Sequence, residues 1–243
     1  MSMLGRWIEK LLASLPWLLA VTAAGLLVKL APFLWAYRDL ALLLSWQHLR
    51  LIGLSMTIAV PLGVLIGGLT YGRALPGALA LGSASLLMTI PSIALFGAMI
   101  PLLAPLGAGV GTIPAVLALI LYSQLPIIRN TRTGLQSVPA PVLRTALALG
   151  MSPWQVFWRV RFPLAWPFIL SGIRIAMVSA VGIASVAAYI GAGGLGRWIF
   201  GGIRRTYPDM VLAGALLISL LAVALDRTLF TLQRFFQRYR EQP

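Results

Sequence analysis

Long apolar runs separated by short polar clusters set the pattern of this chain. A helix needs about 18–20 apolar residues to cross the hydrocarbon core of a bilayer. Six runs are drawn as such spans: Leu11–Val28, Leu51–Tyr71, Leu75–Leu103 (long and broken by prolines), Leu106–Ile128, Phe168–Ile190 and Met210–Leu225. The first follows Arg6 and Lys10, as a secretory leader would. It is longer than a leader's apolar core, however, and no small-x-small cleavage site follows promptly, so it is read as a span. The pattern predicts an all-α polytopic membrane protein. The last run continues into Asp226-Arg227 and a segment in which Leu229, Leu232, Phe236 and Tyr239 recur at helical spacing between arginines. This is the signature of an amphipathic tail on the membrane surface.

Composition agrees: 60% of residues are hydrophobic and only 10% charged, and the mean hydropathy is +0.93. The net charge of +14 would suit a nucleic-acid partner, but its distribution accounts for it differently. With the N-terminus inside, the cytoplasmic segments hold Arg6, Lys10, Arg73, Arg129, Arg132, Arg144, Arg159, Arg161, Arg227, Arg234, Arg238 and Arg240. The opposite side holds Arg38, Arg50, Arg197, Arg204 and Arg205. The positive-inside bias thus places both termini in the cytoplasm, and the charge reports topology without a nucleic-acid role.

Several chemistries are excluded or weakened. The absence of cysteine removes disulfides, thiolate metal sites and thiol nucleophiles. Neither lysine, Lys10 or Lys29, follows a phosphate-cradling glycine loop, so hydrolysis of ATP by that route belongs elsewhere. His48 is the lone histidine and lies near a span boundary, where it reads as an interfacial polar residue. No acid stands deep within a span, as ion-coupled carriers usually require, and Lys29 and Arg174 sit close enough to span ends to snorkel. Gly191-Ala-Gly193-Gly194-Leu-Gly196 matches a dinucleotide fingerprint in letters. It follows a span rather than a short strand, so it reads as a flexible or re-entrant turn.

The most informative segment runs from Pro139 to Pro167 between the fourth and fifth of these spans. Pro139 and Pro141 suit a helix start, Val142–Leu149 are good helix formers, and Gly150 falls where a left-handed C-cap is wanted. Ser152-Pro153-Trp154-Gln155 then restarts helix, with serine as N-cap, proline first and glutamine closing a capping box. Pro163 and Pro167 are expected to end this second helix and lead into the next span. A DNA-reading helix-turn-helix has a similar turn. Confinement between two spans, and a second helix rich in Trp and Phe, argue against it.

These residues resemble the cytoplasmic coupling loop of ABC importer permeases. Ala146 matches the second alanine of that pattern, Gly150 its glycine, and Val160-Arg161-Phe162-Pro163 its ending. Thr89–Leu95, Leu121–Thr131, Gly134-Leu135 and Gly191–Gly196 are similar to permeases importing glycine betaine, choline, carnitine and related osmoprotectants, and the likeness covers roughly residues 46–225. The resemblance implies a type I importer permease core over 46–225. An extra N-terminal span with its flanks (1–45) precedes it, and a cytoplasmic tail (226–243) follows. It implies coupling through Arg144, Thr145, Ala146, Gly150, Met151, Ser152, Pro153, Val160 and Pro163, and a translocation path or gate near Pro91, Ser92, Gly191, Gly193 and Gly194. It further implies no cofactor in this chain, with ATP and Mg bound by a partner ATPase. A second permease and an extracytoplasmic binding protein complete the assembly in the bacterial inner membrane, among membrane lipid. One departure stands out: Arg144 replaces the family's usual glutamate and Thr145 its first alanine, so the role of that acid does not carry over. The alternatives are an intramembrane enzyme built on Ser83 or Ser85, and a stand-alone channel or carrier.

Overall fold

The computed structural model describes Gly25 and residues 28–241, and among these every regular element is helical. Residues 28–36 are helical and lead into α1 (Arg38–Thr70). Then come α2 (Ala74–Thr89), α3 (Ser92–Leu103) and a 3₁₀ turn (Ala104–Leu106), followed by α4 (Thr112–Gln136) and α5 (Ala140–Ala148). After α5, α6 (Pro153–Val156) passes through a π turn (Phe157–Arg161) into α7 (Phe162–Ala184). A second 3₁₀ turn (Val186–Ile190), α8 (Gly196–Arg204) and α9 (Pro208–Glu241) follow as the last of the described elements.

Four continuous helices are long and apolar enough to cross a membrane: α1, α4, α6–α7 and α9. The α2–α3 pair makes a fifth candidate, bent by 99°. The second to sixth predicted spans are therefore found, with shifted ends. The second begins at Arg38 instead of Leu51, and the third is two helices meeting at Pro91, where proline cannot continue the α2 ladder. The expected first span, Leu11–Val28, lies outside the described residues except for Gly25 and Val28.

Helix α4 is the axle of the bundle. It buries Ala115, Ala118, Leu119, Ile127 and Leu135 and packs between α1 and α7. Small residues permit the close approach. A Cβ on Gly63 of α1 would stand 2.6 Å from Ile127 Cγ2, and one on Gly172 of α7 would stand 2.6 Å from Asn130 Cβ. Three donors then bind carbonyls at the α1–α2 turn and in α4. Arg132 reaches the Thr70 carbonyl, Gln136 Nε2 the Tyr71 carbonyl (2.5 Å) and Arg161 Nη1 the Leu135 carbonyl (3.0 Å).

The two cations read from the sequence as lying at span ends, Lys29 and Arg174, are both paired. Arg174 of α7 grips Asp226 of α9 through two hydrogen bonds, and Lys29 Nζ lies 3.4 Å from Asp209. Both expectations of simple snorkelling are thus replaced by ion pairs, and Asp226 is an acid embedded in a continuous helix. The pattern missed the pairing because its partners are remote in sequence.

Candidate functional site

The 139–167 loop is built by local rules. Pro139 caps α5, whose last turn closes with a Schellman arrangement. The Met151 N–H donates to the Ala146 carbonyl (3.2 Å) and the Gly150 N–H to the Leu147 carbonyl (3.0 Å). Gly150 has φ +81°, the left-handed value expected of it, and open space lies where its Cβ would be. The reciprocal capping box is present: the Gln155 N–H donates to Ser152 Oγ (3.3 Å) and the Ser152 N–H to Gln155 Oε1 (2.8 Å).

Pro163 and Pro167 do not end the second helix, contrary to expectation. The register shifts one residue earlier, where the Phe162 N–H bonds the Phe157 carbonyl in a π turn. Phe162 and Pro163 then occupy the first turn of α7, where a missing N–H costs nothing. The helix therefore runs unbroken from Pro153 to Ala184.

Of the loop residues singled out in sequence, Ala146 is buried and anchors α5; Val156, not singled out, is buried as well and seals the second helix. Arg144, Thr145, Gly150, Ser152 and Pro153 are exposed together at one end of the bundle, while Met151, Val160 and Pro163 are half-buried behind them. Among the described residues Arg144 has no carboxylate within ion-pair distance. Aromatic rings line the second helix. Trp154 stacks edge-on to Trp158 at 5.5 Å, Trp158 lies 5.2 Å from Phe162 and Phe162 lies 5.8 Å from Trp166. Arg161, which the pattern treated only as a motif position, holds the loop to the bundle. Besides its bond to Leu135 it places its guanidinium 5.0 Å above the Tyr71 ring.

The second set of candidates lies away from this loop. Pro91 and Ser92 stand at the α2–α3 bend, where the Tyr122 hydroxyl donates to the Ile90 carbonyl. The α3 helix packs on the 3₁₀ turn that precedes Gly191. Gly191, Gly193 and Gly194 all have φ near +80°. Their turn is clamped rather than loose: Gln47 Oε1 accepts the Gly194 N–H at 3.0 Å, and the Gly111 N–H donates to the Ile190 carbonyl at 2.9 Å. His48 is fully buried beneath it and its Nε2–H donates to the Val181 carbonyl at 2.9 Å. The interfacial reading of His48 is corrected, because α1 starts early enough to carry position 48 into the packed interior. No sequence spacing pointed to the Gln47–His48 clamp. Among the described residues no three His, Asp or Glu side chains gather into a metal-holding group.

Residues 59–238 match the family described as the binding-protein-dependent transport system inner membrane component. The chain is 47% identical over 190 residues to the osmoprotectant import permease protein OsmW of Salmonella typhimurium, covering 78% of this chain and 88% of that one. It is 39% identical over 181 residues to the glycine betaine/carnitine/choline transport system permease protein OpuCB of Bacillus subtilis, covering 74% and 79%. Its fold is similar to an inward-facing structure of the MetNI methionine ABC transporter, with TM-score 0.69 and 21% identity over 79% of this chain and 93% of that one. With the helical bundle, the Gly150 turn and the family match in agreement, the chain belongs to the inner membrane components of binding-protein-dependent transport systems: it is a permease subunit and not itself an enzyme.

Proposed function

We propose that this permease moves a small quaternary-amine osmoprotectant, of the glycine betaine or choline kind, into the cytoplasm. ATP hydrolysis by separate ATPase subunits drives the transport. The permease relatives named for osmoprotectant and for glycine betaine, carnitine and choline transport support the solute class. In this reading an ATPase seats on the exposed Arg144–Pro153 turn, a second permease pairs with the 46–225 core, and a binding protein delivers solute at the far end. The arginine distribution supports cytoplasmic termini and a bacterial inner membrane location, with residues 226–243 as an inner-surface tail. The alternating exposure of the Pro91–Ser92 bend and the Gly191–Gly194 turn then forms the gate.

The observation that carries this reading is mechanical. A rigid turn, exposed at one end of the bundle, continues without a break into a membrane-length helix. A docked ATPase can therefore tilt that span as a rigid body. The test is reconstitution of the permease with its ATPase, its binding protein and any second permease in liposomes. Uptake of labelled glycine betaine should require ATP and the binding protein. Uptake by this chain alone, driven by a sodium or proton gradient, would overturn the reading. Because the chain has no cysteine, sidedness is read cleanly in intact cells. Ser152→Cys should resist a membrane-impermeant thiol reagent and Thr206→Cys should react.

A further inference from the structure

Arg174 lies inside the continuous helix Pro153–Ala184 and Asp226 inside the apolar stretch Pro208–Thr231, so their ion pair stands within the membrane-length part of the bundle. Charges at such depth are costly and turn towards partners or water-filled cavities. Arg174 Nη2 donates to Asp226 Oδ2 at 2.7 Å and Nε donates to Oδ1, yet 31% of one side chain and 30% of the other remain exposed. The pair opens into a cavity of about 270 Å³ at the α7–α9 seam, lined by Ser171, Arg174, Ile175, Val178, Ser179 and Asp226. The span serines Ser55, Ser123 and Ser219 fold their hydroxyls back onto the carbonyl four residues earlier, whereas Ser171 and Ser179 make no such bond among the described residues. Phe230 follows Asp226 by one helical turn on the same face of α9. Its ring centre lies 4.8 Å from the Arg174 guanidinium and 4.4 Å from that of Arg234. Carboxylate and ring thus already hold organic cations side by side.

We propose that this cavity is a solute subsite within the permease, selective for zwitterions that carry a quaternary ammonium and a carboxylate. The proposal rests on the importer reading above and narrows it, because a bare cation such as choline fits less well. In the subsite the ammonium of the solute takes the place of the guanidinium beside Asp226 and over the Phe230 ring. The solute carboxylate accepts from Arg174, with the Ser171 and Ser179 hydroxyls as further donors. Charge selects the ligand. The empty cavity holds one positive and one negative group, and a zwitterion leaves that balance unchanged. A lone cation would draw Asp226 from Arg174 and leave the guanidinium without a counter-ion in a poorly solvated place. When the solute leaves, the direct pair re-forms, so no charge stands alone at either stage. A zwitterionic lipid headgroup shares this pairing of ammonium with an anion, and the test separates the two sources.

Because the chain has no cysteine, Ser171→Cys places a single thiol in the cavity and keeps both charges. The complete transporter carrying it, in phosphatidylglycerol nanodiscs, is treated with a neutral maleimide, and labelling of this chain is followed by mass spectrometry. Glycine betaine should slow labelling several-fold relative to isosmotic sucrose, and choline should protect about tenfold less effectively. Adding Arg174→Gln should invert that order, since Asp226 then stands alone and favours a bare cation. Asp226→Asn should abolish protection by both. Ser179→Cys serves as reporter if Ser171→Cys fails to assemble. If the charge variants fail, Phe230→Leu, which keeps the ion pair, should still weaken protection. Equal labelling in glycine betaine and sucrose, by a transporter that takes up glycine betaine, overturns the subsite and leaves the importer reading intact. Equal protection by glycine betaine and choline overturns the selectivity for zwitterions. Labelling that responds to replacing phosphatidylglycerol by phosphatidylcholine but not to the solutes assigns the cavity to a lipid headgroup and overturns the solute subsite. Protection by glycine betaine in a transporter that takes up no quaternary amine supports the subsite and overturns the importer reading.

Discussion

The Gly150 turn and the Gly191–Gly196 turn share a device and differ in surroundings. Each ends a helix with a left-handed glycine and restarts another, and each is followed within a few residues by an N-terminus. Around Gly150 nothing approaches the missing side chain, so its only demand is backbone conformation. In the other turn a Cβ on Gly193 would stand 2.5 Å from Gln47 Oε1, and one on Gly194 would stand 3.0 Å from His48 Nδ1. One on Gly196 would overlap the Ser185 carbonyl. The first turn faces solvent, whereas the second is locked into its own protein. The exposed turn is built by local capping alone. A turn that must hold a bundle end together is built by tertiary packing.

Substitutions sharpen the contrast, and the largest effect falls on the packed turn. Gly196→Ala pushes a methyl into a backbone carbonyl that cannot retreat. The bundle should lose on the order of 3 kcal/mol or more, beyond ordinary overpacking costs of roughly 1–3 kcal/mol. A thermal melt of the detergent-purified permease reads this, and a melt within a few degrees of wild type would show the two turns to be alike.

Gly150→Val should separate folding from coupling. A β-branched residue at positive φ costs on the order of 1–3 kcal/mol, confined to a turn outside the core. The protein should insert and melt nearly as wild type while failing to bind its ATPase. ATPase retention with full uptake would break the assignment of this turn.

Ser152→Ala removes one arm of the capping box and should cost about 1 kcal/mol of local helix stability. Faster amide exchange over residues 154–156, with no change in the Gly191–Gly196 turn, is the expected pattern. The smallest effect is a gain. Thr206 carries the one positive φ outside glycine among the described residues, +51°, and its N–H bonds the Ile203 carbonyl in a Schellman-like cap. Thr206→Gly relieves that strain and should raise stability by roughly 0.5–1 kcal/mol. A lower melting temperature would mean the threonine side chain holds something here.

The same contrast explains what could be read from the sequence. The 139–167 turn was legible because its determinants lie within six residues of one another: a left-handed glycine, a serine cap and a glutamine at the right offset. Gly150 and the Ser152–Gln155 box came out as expected. The π turn was not legible, since two prolines normally end a helix. The shifted bond from Phe162 to Phe157 places Pro163 in the first turn of α7, whereas Pro167 lies inside that helix without ending it. The clamp over the glycine turn was hidden for a different reason. Gln47 and Gly194 are 147 positions apart, and nothing in local propensity announces such a partner. His48, Arg174 and Arg161 were misjudged on the same ground, because their roles are defined by carbonyls, carboxylates and rings on other helices.

The unbroken helix from Pro153 to Ala184 also acts as a lever. Its 32 residues make a rod of about 48 Å at 1.5 Å per residue. A pivot of about 10° about the rod's middle moves each tip by roughly 4 Å, more than the radius of a water molecule. Arg174 lies between those tips and ties the rod to α9 through Asp226, so α9 is carried along with it. A small push on a solvent-facing turn at one end thus becomes a displacement of atomic size at the other, from which the chain leads into the glycine turn.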